Sequence, residues 1–398
     1  MSRLRRLQPL LLVAVAAFFW EFGFGTYRTV FQNYLNQELG MGGGALGWLE
    51  GIREIPGLLT VVLTAATITI APPVLGTWSI LLLALGLGLL AVTDSFAGLA
   101  VVTLIFSTGF HLLFPVQNTL ILRWARPEER GLRLGQVEGV GVAAELAAMA
   151  VVFATGSLLP LRSYFVVGAV VAALGALAMW ALPREGAPAA RPDLRSRFLI
   201  RRRYSTYYWS TLLNGARRHM FLTFAAFNLI AVYGVGVQTV ALLMAAGHVL
   251  SILGRPLMGM AVDRFGERPV FVVCYAVVGA ILVGYAVLDW LPALYVLFCI
   301  DNLFRFEMVV TAYLGRIADP DDVPQTLATG GTINHIAGVA VPVLGGLLWE
   351  AVGPHATFAA GAAVAAAGLV YSLTMRSPET TPTASTALMR RHQSTSAP

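Results

Sequence analysis

Residues 254–270 read GRPLMGMAVDRFGERPV, and this stretch decides how the rest of the chain is read. One strongly apolar run enters it and another leaves it at once. Between them lie three glycines and two prolines, with Asp263 and Arg264 set beside Glu267 and Arg268. Such a pattern predicts that an apolar helix breaks here into a charged hinge of about ten residues, since proline and glycine both weaken a helix interior. Working outward, the composition shows what the hinge connects. The chain has 398 residues, of which 57% are hydrophobic and 12% charged, with a mean hydropathy of +0.73. A soluble domain of this length cannot hide that much apolar surface. Apolar stretches of about 20 residues recur throughout, the length that crosses roughly 30 Å of hydrocarbon. Each must be helical to satisfy its own backbone in lipid.

The chain therefore reads as an all-α, polytopic membrane protein. The expected spans are 10–34, 45–69, 74–92, 97–122, 134–158 and 162–182, then 207–230, 236–259, 269–288, 293–317, 325–350 and 356–375. All 27 basic residues are arginine. With the N-terminus placed in the cytoplasm, 20 arginines fall in inner segments, Arg162 alone falls outside, and six lie within spans. That asymmetry predicts both termini on the cytoplasmic side of a plasma (bacterial inner) membrane. The first run carries Glu21 and Arg28 and lacks a small-residue cleavage site, so it reads as a span rather than a signal peptide. A Pro-, Ala- and Arg-rich connection at 183–206 separates a first group of six spans (1–182) from a second (207–376), and a Ser/Thr/Pro-rich tail at 377–398 reads as disordered. The halves echo each other. Gly25-x-x-Arg28-x-x-Phe31 returns as Gly215-x-x-Arg218-x-x-Phe221, and the acidic turn 125–129 returns at 318–322.

The spacing Gly259, Asp263, Arg264, Gly266, Arg268 resembles the G-x-x-x-D-R-x-G-x-R loop signature of the major facilitator superfamily. The resemblance covers roughly residues 7–376. It implies twelve transmembrane helices in two six-helix bundles related by a pseudo-two-fold axis, and it implies that the loop lies on the cytoplasmic side and helps gate the transporter. The first-half loop at 69–74 carries none of the signature's charges, so any such latch is one-sided. Pro342, Gly345 and Gly346 resemble part of a drug-antiporter motif, but in the wrong span.

Charge inside the membrane carries the functional reading, because one charged side chain at the bilayer centre costs about 2.5–3.5 kcal/mol on the insertion scale. Polar stripes run along the first, fourth, seventh and tenth spans, which line the central cavity in the family the chain resembles. The substrate-binding candidates are Arg28, Gln32, His111, Asn118, Asn214, Arg218, Asn302 and Arg305. Three fixed cations facing one cavity favour a carboxylate, phosphate or sulfonate. The competing structural account is internal neutralisation, with Asp301 pairing Arg305 at i, i+4, and Glu21, Glu50 or Glu54 pairing Arg28 or Arg53. Glu21, Glu145, Asp301, Glu307 and His335 are the candidates for proton coupling. Glu50, Arg53 and Glu54 share a face of the second span and read as a gate near the outer surface.

These features predict a secondary transporter, not an enzyme, moving a small anionic or zwitterionic organic solute by alternating access with protons. It would work as a monomer with no cofactor and no nucleic-acid partner; no nucleotide fingerprint suggests ATP drive. The alternatives are a divalent metal or drug efflux transporter, and a non-transporting scaffold or receptor of the same fold. His111, His219, His248 and His335, with nearby acids, suggest the metal route, but they stand on separate helices and the arginines between them would repel the cation.

Overall fold

The structure, a computed structural model, describes residues 3–184 and 200–375. Residues 185–199 of the 183–206 connection, with Arg191, Arg195 and Arg197, and the tail 377–398 lie outside the described residues. Among the described residues there are fourteen α-helices and no strand. The first half holds α1 (Arg3–Asn33), α2 (Gly43–Leu58), α3 (Thr60–Thr67), α4 (Pro72–Leu90), α5 (Phe96–Trp124), α6 (Arg130–Thr155) and α7 (Leu161–Trp180). The second holds α8 (Ser205–Ala231), α9 (Val237–Phe265), α10 (Glu267–Val287), α11 (Leu291–Leu303), α12 (Glu307–Ile317), α13 (Val323–Ala351) and α14 (Pro354–Thr374). Taken in order, with α2 and α3 joined and α11 and α12 joined, they fall on the expected spans.

Nine helices among the described residues are long and apolar enough to cross a membrane. The three expected spans outside that set are the second, seventh and tenth, and each departs for a reason in its sequence. The second is interrupted at Leu59, one turn beyond Pro56, which cannot donate to the helix ladder. The tenth is interrupted at Phe304–Phe306, where an unbroken helix was expected. The seventh, α8, stays continuous, but Asn214, Arg217, Arg218 and His219 dilute its apolar character. Irregular backbone at this depth is tolerated where it lines a cavity.

The 254–270 stretch corrects the expected hinge. α9 runs through Gly254, Pro256 and Gly259 to Phe265, and α10 starts at Glu267, so the break is a single residue rather than ten. Gly266 has φ +81°, the left-handed region that favours glycine, and this residue alone turns the chain. Gly254 serves packing instead, since a Cβ there would collide with the backbone of Leu303 on α11.

Each half builds its own buried core, one drawn mainly from α1, α4, α5 and α7, the other from α8, α10, α11, α12 and α14. The packing is symmetric in type. α1 lies against α6 and α7 as α8 lies against α13 and α14, and α4 meets α7 as α10 meets α14. The halves meet along two matching seams, α2 on α13 and α9 on α6. Small residues allow the first seam, where a Cβ on Gly47 would strike the Pro342 carbonyl. Further bonds tie the same end of the molecule. Asn33 Nδ2 donates to the Val235 carbonyl (2.9 Å), the Gly44 amide to Glu350 Oε1 (2.9 Å), and Gln238 Nε2 to the Phe153 carbonyl (2.9 Å).

Candidate functional site: a polar cavity between the halves

A cavity of about 350 Å³ lies where the two seams leave the halves apart. Its apolar wall is aromatic. Phe24, Tyr27, Phe31 and Phe110 come from the first half, Phe221 and Phe298 from the second. Phe24 and Phe110 stack with centroids 4.5 Å apart. The polar wall is a set of arginines, each with a different fate.

On the first-half side, Arg28 Nη1 donates to Glu145 Oε1 at 2.8 Å, and Glu145 Oε2 lies 2.7 Å from Nε2 of His248, on α9 of the other half. Arg53 lies 2.8 Å from both Glu50 Oε2 and Glu54 Oε1. Glu54 Oε2 in turn meets Nδ1 of His335, on α13 of the other half, at 2.9 Å. Each first-half arginine thus holds a carboxylate that reaches across a seam to a second-half histidine. On the second-half side, Arg217 is buried to 1% exposure and donates to Asp301 Oδ1 at 2.9 Å, with its guanidinium 5.1 Å from the Phe306 ring. Arg218 Nε lies 3.0 Å from Glu307 Oε1. Arg305 lines the cavity and has no hydrogen bond and no ion pair within 4.0 Å among the described residues.

The broken tenth span explains that last difference. Asp301 and Arg305 at i, i+4 would pair on an unbroken helix. Because α11 ends at Leu303, they leave the same helical face, and Asp301 pairs with Arg217 instead. Arg305 sits in the link, two residues before the first residue of α12.

Of the other residues singled out from sequence, Gln32, His111, Asn302 and His335 line the cavity. Gln32 Nε2 crosses to the Thr223 carbonyl at 3.2 Å. Asn118 and Asn214 lie outside the lining, Asn214 being buried with its Oδ1 unpartnered. Glu21 packs on Gly141 away from the cavity. Glu145 and Glu307 reach the cavity through Arg28 and Arg218. Glu50, Arg53 and Glu54, expected near the outer surface, all line the cavity. In the signature loop, Asp263 and Arg264 are exposed and Asp263 makes no ion pair among the described residues, while Arg268 Nη2 donates to the Leu373 carbonyl at 2.6 Å and Gly259 faces open space apart from Met308. Sequence reasoning passed over Arg217 as a site residue and gave His248 no partner. Their partners lie 84 and 103 residues away, a distance that no local spacing reveals.

His111 completes a cluster that the sequence reading had dispersed. One ligand atom each of Glu54, His111 and His335, from α2, α5 and α13, lies within 4.8 Å of the others. His111 Nδ1 is held by the Ser107 carbonyl at 2.9 Å.

A family model described as Major Facilitator Superfamily matches residues 13–300 and 207–396. Among solved structures, the chain superposes on the nucleoside transporter NupG with a TM-score of 0.77 at 15% identity, covering 92% of this chain and 99% of that one. A bacterial homologue of the human lysosomal transporter Spinster, in an inward-facing and occupied conformation, gives a TM-score of 0.69 at 14% identity, covering 94% of this chain and 96% of that one. Among curated proteins, the class C tetracycline resistance protein of Escherichia coli is 32% identical over 124 residues, 30% of each chain.

Proposed function

The chain belongs to the major facilitator superfamily, a family of multi-pass membrane transporters, and from that premise we propose that it is a proton-coupled secondary transporter of a small organic solute carrying an anionic group. The solute sits in the cavity between the halves, its anionic group on Arg305 and its apolar body against the aromatic wall. Arg305 carries the reading. It is a cation in the cavity wall with no carboxylate oxygen within 4.0 Å among the described residues, beside the first turn of α12 in a discontinuous helix. In transporters, half-helix N-termini at such breaks point at anionic substrate groups, and a planar guanidinium fork adds two parallel bonds to a carboxylate. The flanking ion pairs supply graded polarity rather than free charge, which suits a zwitterion as well as a simple anion.

Alternating access then has a structural basis. The halves are pinned at the end that carries Asn33, Gly47, Val235 and Pro342, and the arginine count places that end outside, with both termini in the cytoplasm of a bacterial inner membrane. The two carboxylate–histidine contacts cross the seams where the halves must part, so a proton arriving at Glu145–His248 or Glu54–His335 changes the strength of a contact that opens during the cycle. Coupling protons to solute through the seam needs no cofactor and no partner chain.

A thermal-shift screen of the purified protein tests the solute class. It compares small carboxylic acids having an aromatic or aliphatic body with their matched methyl esters and amides. Acids should stabilise the protein where amides do not, and Arg305→Gln should weaken the best acid about 10- to 100-fold, the worth of a charge-assisted hydrogen bond of about 1.5–3 kcal/mol. Equal stabilisation by acid and amide, or an unchanged response in Arg305→Gln, overturns the assignment. Flux of the best acid into proteoliposomes under an imposed pH gradient tests the coupling.

A further inference from the structure

We propose that Glu54, His111 and His335 form a binding site for a divalent first-row transition-metal ion in the cavity wall at the seam between α2 and α13. The three residues come from α2, α5 and α13, and their ligand atoms lie within 4.8 Å of one another. A tetrahedral site with two imidazoles, one carboxylate and an open fourth position is a common catalytic zinc arrangement, and imidazole also suits iron, nickel and copper. The closing movement needed is small, since His335 Nδ1 and Glu54 Oε2 already stand 2.9 Å apart.

Two observations beyond proximity support a built site. The first is the outer shell. Metal-binding side chains are normally held by a second partner at the atom that does not bind metal. Here Arg53 holds Glu54 through Oε1 at 2.8 Å, leaving Oε2 toward the histidines. The Ser107 carbonyl holds His111 through Nδ1 at 2.9 Å, which fixes the proton there and leaves Nε2 free to ligate. Ser107 is itself anchored by its hydroxyl to the Arg53 carbonyl. The second is the space. Gly57, one turn beyond Glu54 on α2, lies beneath both rings, and a Cβ there would come closer than 3.0 Å to Nε2 of His111 and to Nδ1 of His335. Only the absence of a side chain lets the two imidazole nitrogens meet over the helix.

Electrostatics allow the charge. Glu50 and Glu54 flank Arg53, so this part of the wall carries a formal −1 with neutral histidines, and a dication does not face a net positive surface. His219 stands beside Glu54 across Gly338, buried and with its Nε2 unpartnered. The open position faces the cavity, where water or a donor atom of the solute can complete the shell. The proposal shares the cavity with the solute reading but does not need Arg305, which belongs to the link between α11 and α12 and not to the trio.

The test uses the full chain, purified in detergent with its affinity tag removed and metal stripped. Zinc binding is followed by calorimetry, and cobalt(II) serves as the absorbance probe. One Zn²⁺ per chain is expected, with a cobalt spectrum of four-coordinate intensity. His111→Gln and His335→Gln, which keep a polar side chain of similar volume, should each weaken binding by at least about 100-fold, the upper end of what even an outer-shell loss costs. Arg305→Gln should bind zinc like the wild type, so failure of the solute assignment leaves this result untouched. No zinc binding by the wild type overturns the proposal. So does binding that survives both histidine replacements but is lost in His248→Ala, which would place the ion at the Glu145 seam.

Discussion

The two walls of the cavity use the same residue types to opposite ends. On the first-half side, Arg28 and Arg53 stand against Glu50, Glu54 and Glu145, two arginines against three carboxylates, a formal −1. On the second-half side, Arg218 and Arg305 in the lining and Arg217 buried behind it stand against Asp301 and Glu307, three arginines against two carboxylates, a formal +1. The first half spends its surplus carboxylate charge on histidines across the seams. The second half keeps a surplus cation facing the void. A pseudo-two-fold scaffold thus encloses an electrically polar chamber, and the polarity lies in side chains that the symmetry does not relate. The repeat supplies the shape, and departures from the repeat supply the chemistry.

The sharpest way to break that comparison is to ask which ion pairs are structural. Arg217–Asp301 is nearly fully enclosed, so removing one partner strands a buried charge, at a cost of about 3–5 kcal/mol. Arg217→Met or Asp301→Asn should therefore lower the melting temperature strongly in detergent, and the double replacement Arg217→Met with Asp301→Leu should recover most of the loss. Arg28–Glu145 has an arginine 34% exposed and a glutamate 11% exposed, so Glu145→Gln should cost less than Asp301→Asn. Equal destabilisation by Glu145→Gln and Asp301→Asn would erase the division between a structural and a working pair.

A smaller effect on stability, but a larger one on function, is expected at the seams. With one proton moved per solute, a pH difference of one unit is worth about 1.36 kcal/mol, a tenfold solute gradient. Glu145→Gln should let solute equilibrate across proteoliposomes yet hold no such gradient. His248→Gln tests the same contact from the other half and should do the same. If both variants still build a tenfold gradient, the Glu145–His248 crossing is a lock without a proton role, and coupling belongs to Glu54–His335.

Much of this was legible in the chain. The hydropathy pattern placed the helices, and the G-x-x-x-D-R-x-G-x-R spacing named the family, because both are local signals. Gly266 was marked by its place in that spacing and proved to be the turn. The breaks were harder to see. Pro56 was visible, but nothing in LFRFE at 303–307 announces that α11 stops, and that stop decides whether Arg305 is neutralised by Asp301. The triad of Glu54, His111 and His335 was illegible for a related reason. Residues 57 and 224 positions apart along the chain meet only because α2 packs on both α5 and α13. Seams between repeats are set by small residues facing one another at a distance, and a single sequence does not show which glycines face which.

The smallest expected effect lies at the turns after α5 and α12, where the halves also diverge. The acidic turn 125–129 recurs at 318–322 in sequence, but its surroundings do not. Glu129 pairs with Arg133 one turn along its own helix at 3.0 Å. Asp322 instead accepts from Tyr204 at 2.6 Å and pairs with Arg201 and Arg203, residues at the end of the connection between the halves. The Tyr204 hydroxyl, reinforced by those arginines, holds the Asp322 carboxyl below its usual range. A carboxylate whose folded value is depressed contributes stability that is present above the unfolded value, about 3.9, and disappears as pH falls through the folded value. Asp322→Asn should therefore lower the melting temperature slightly at pH 7, and the difference from wild type should shrink as the buffer is taken below pH 4. Glu129→Gln, whose pair is local to one helix, should show a smaller difference at both values. A wild-type advantage over Asp322→Asn that stays constant down to pH 3 would mean that the cluster holds the connection by shape rather than charge, and the turn after α12 would then be no different in kind from the turn after α5.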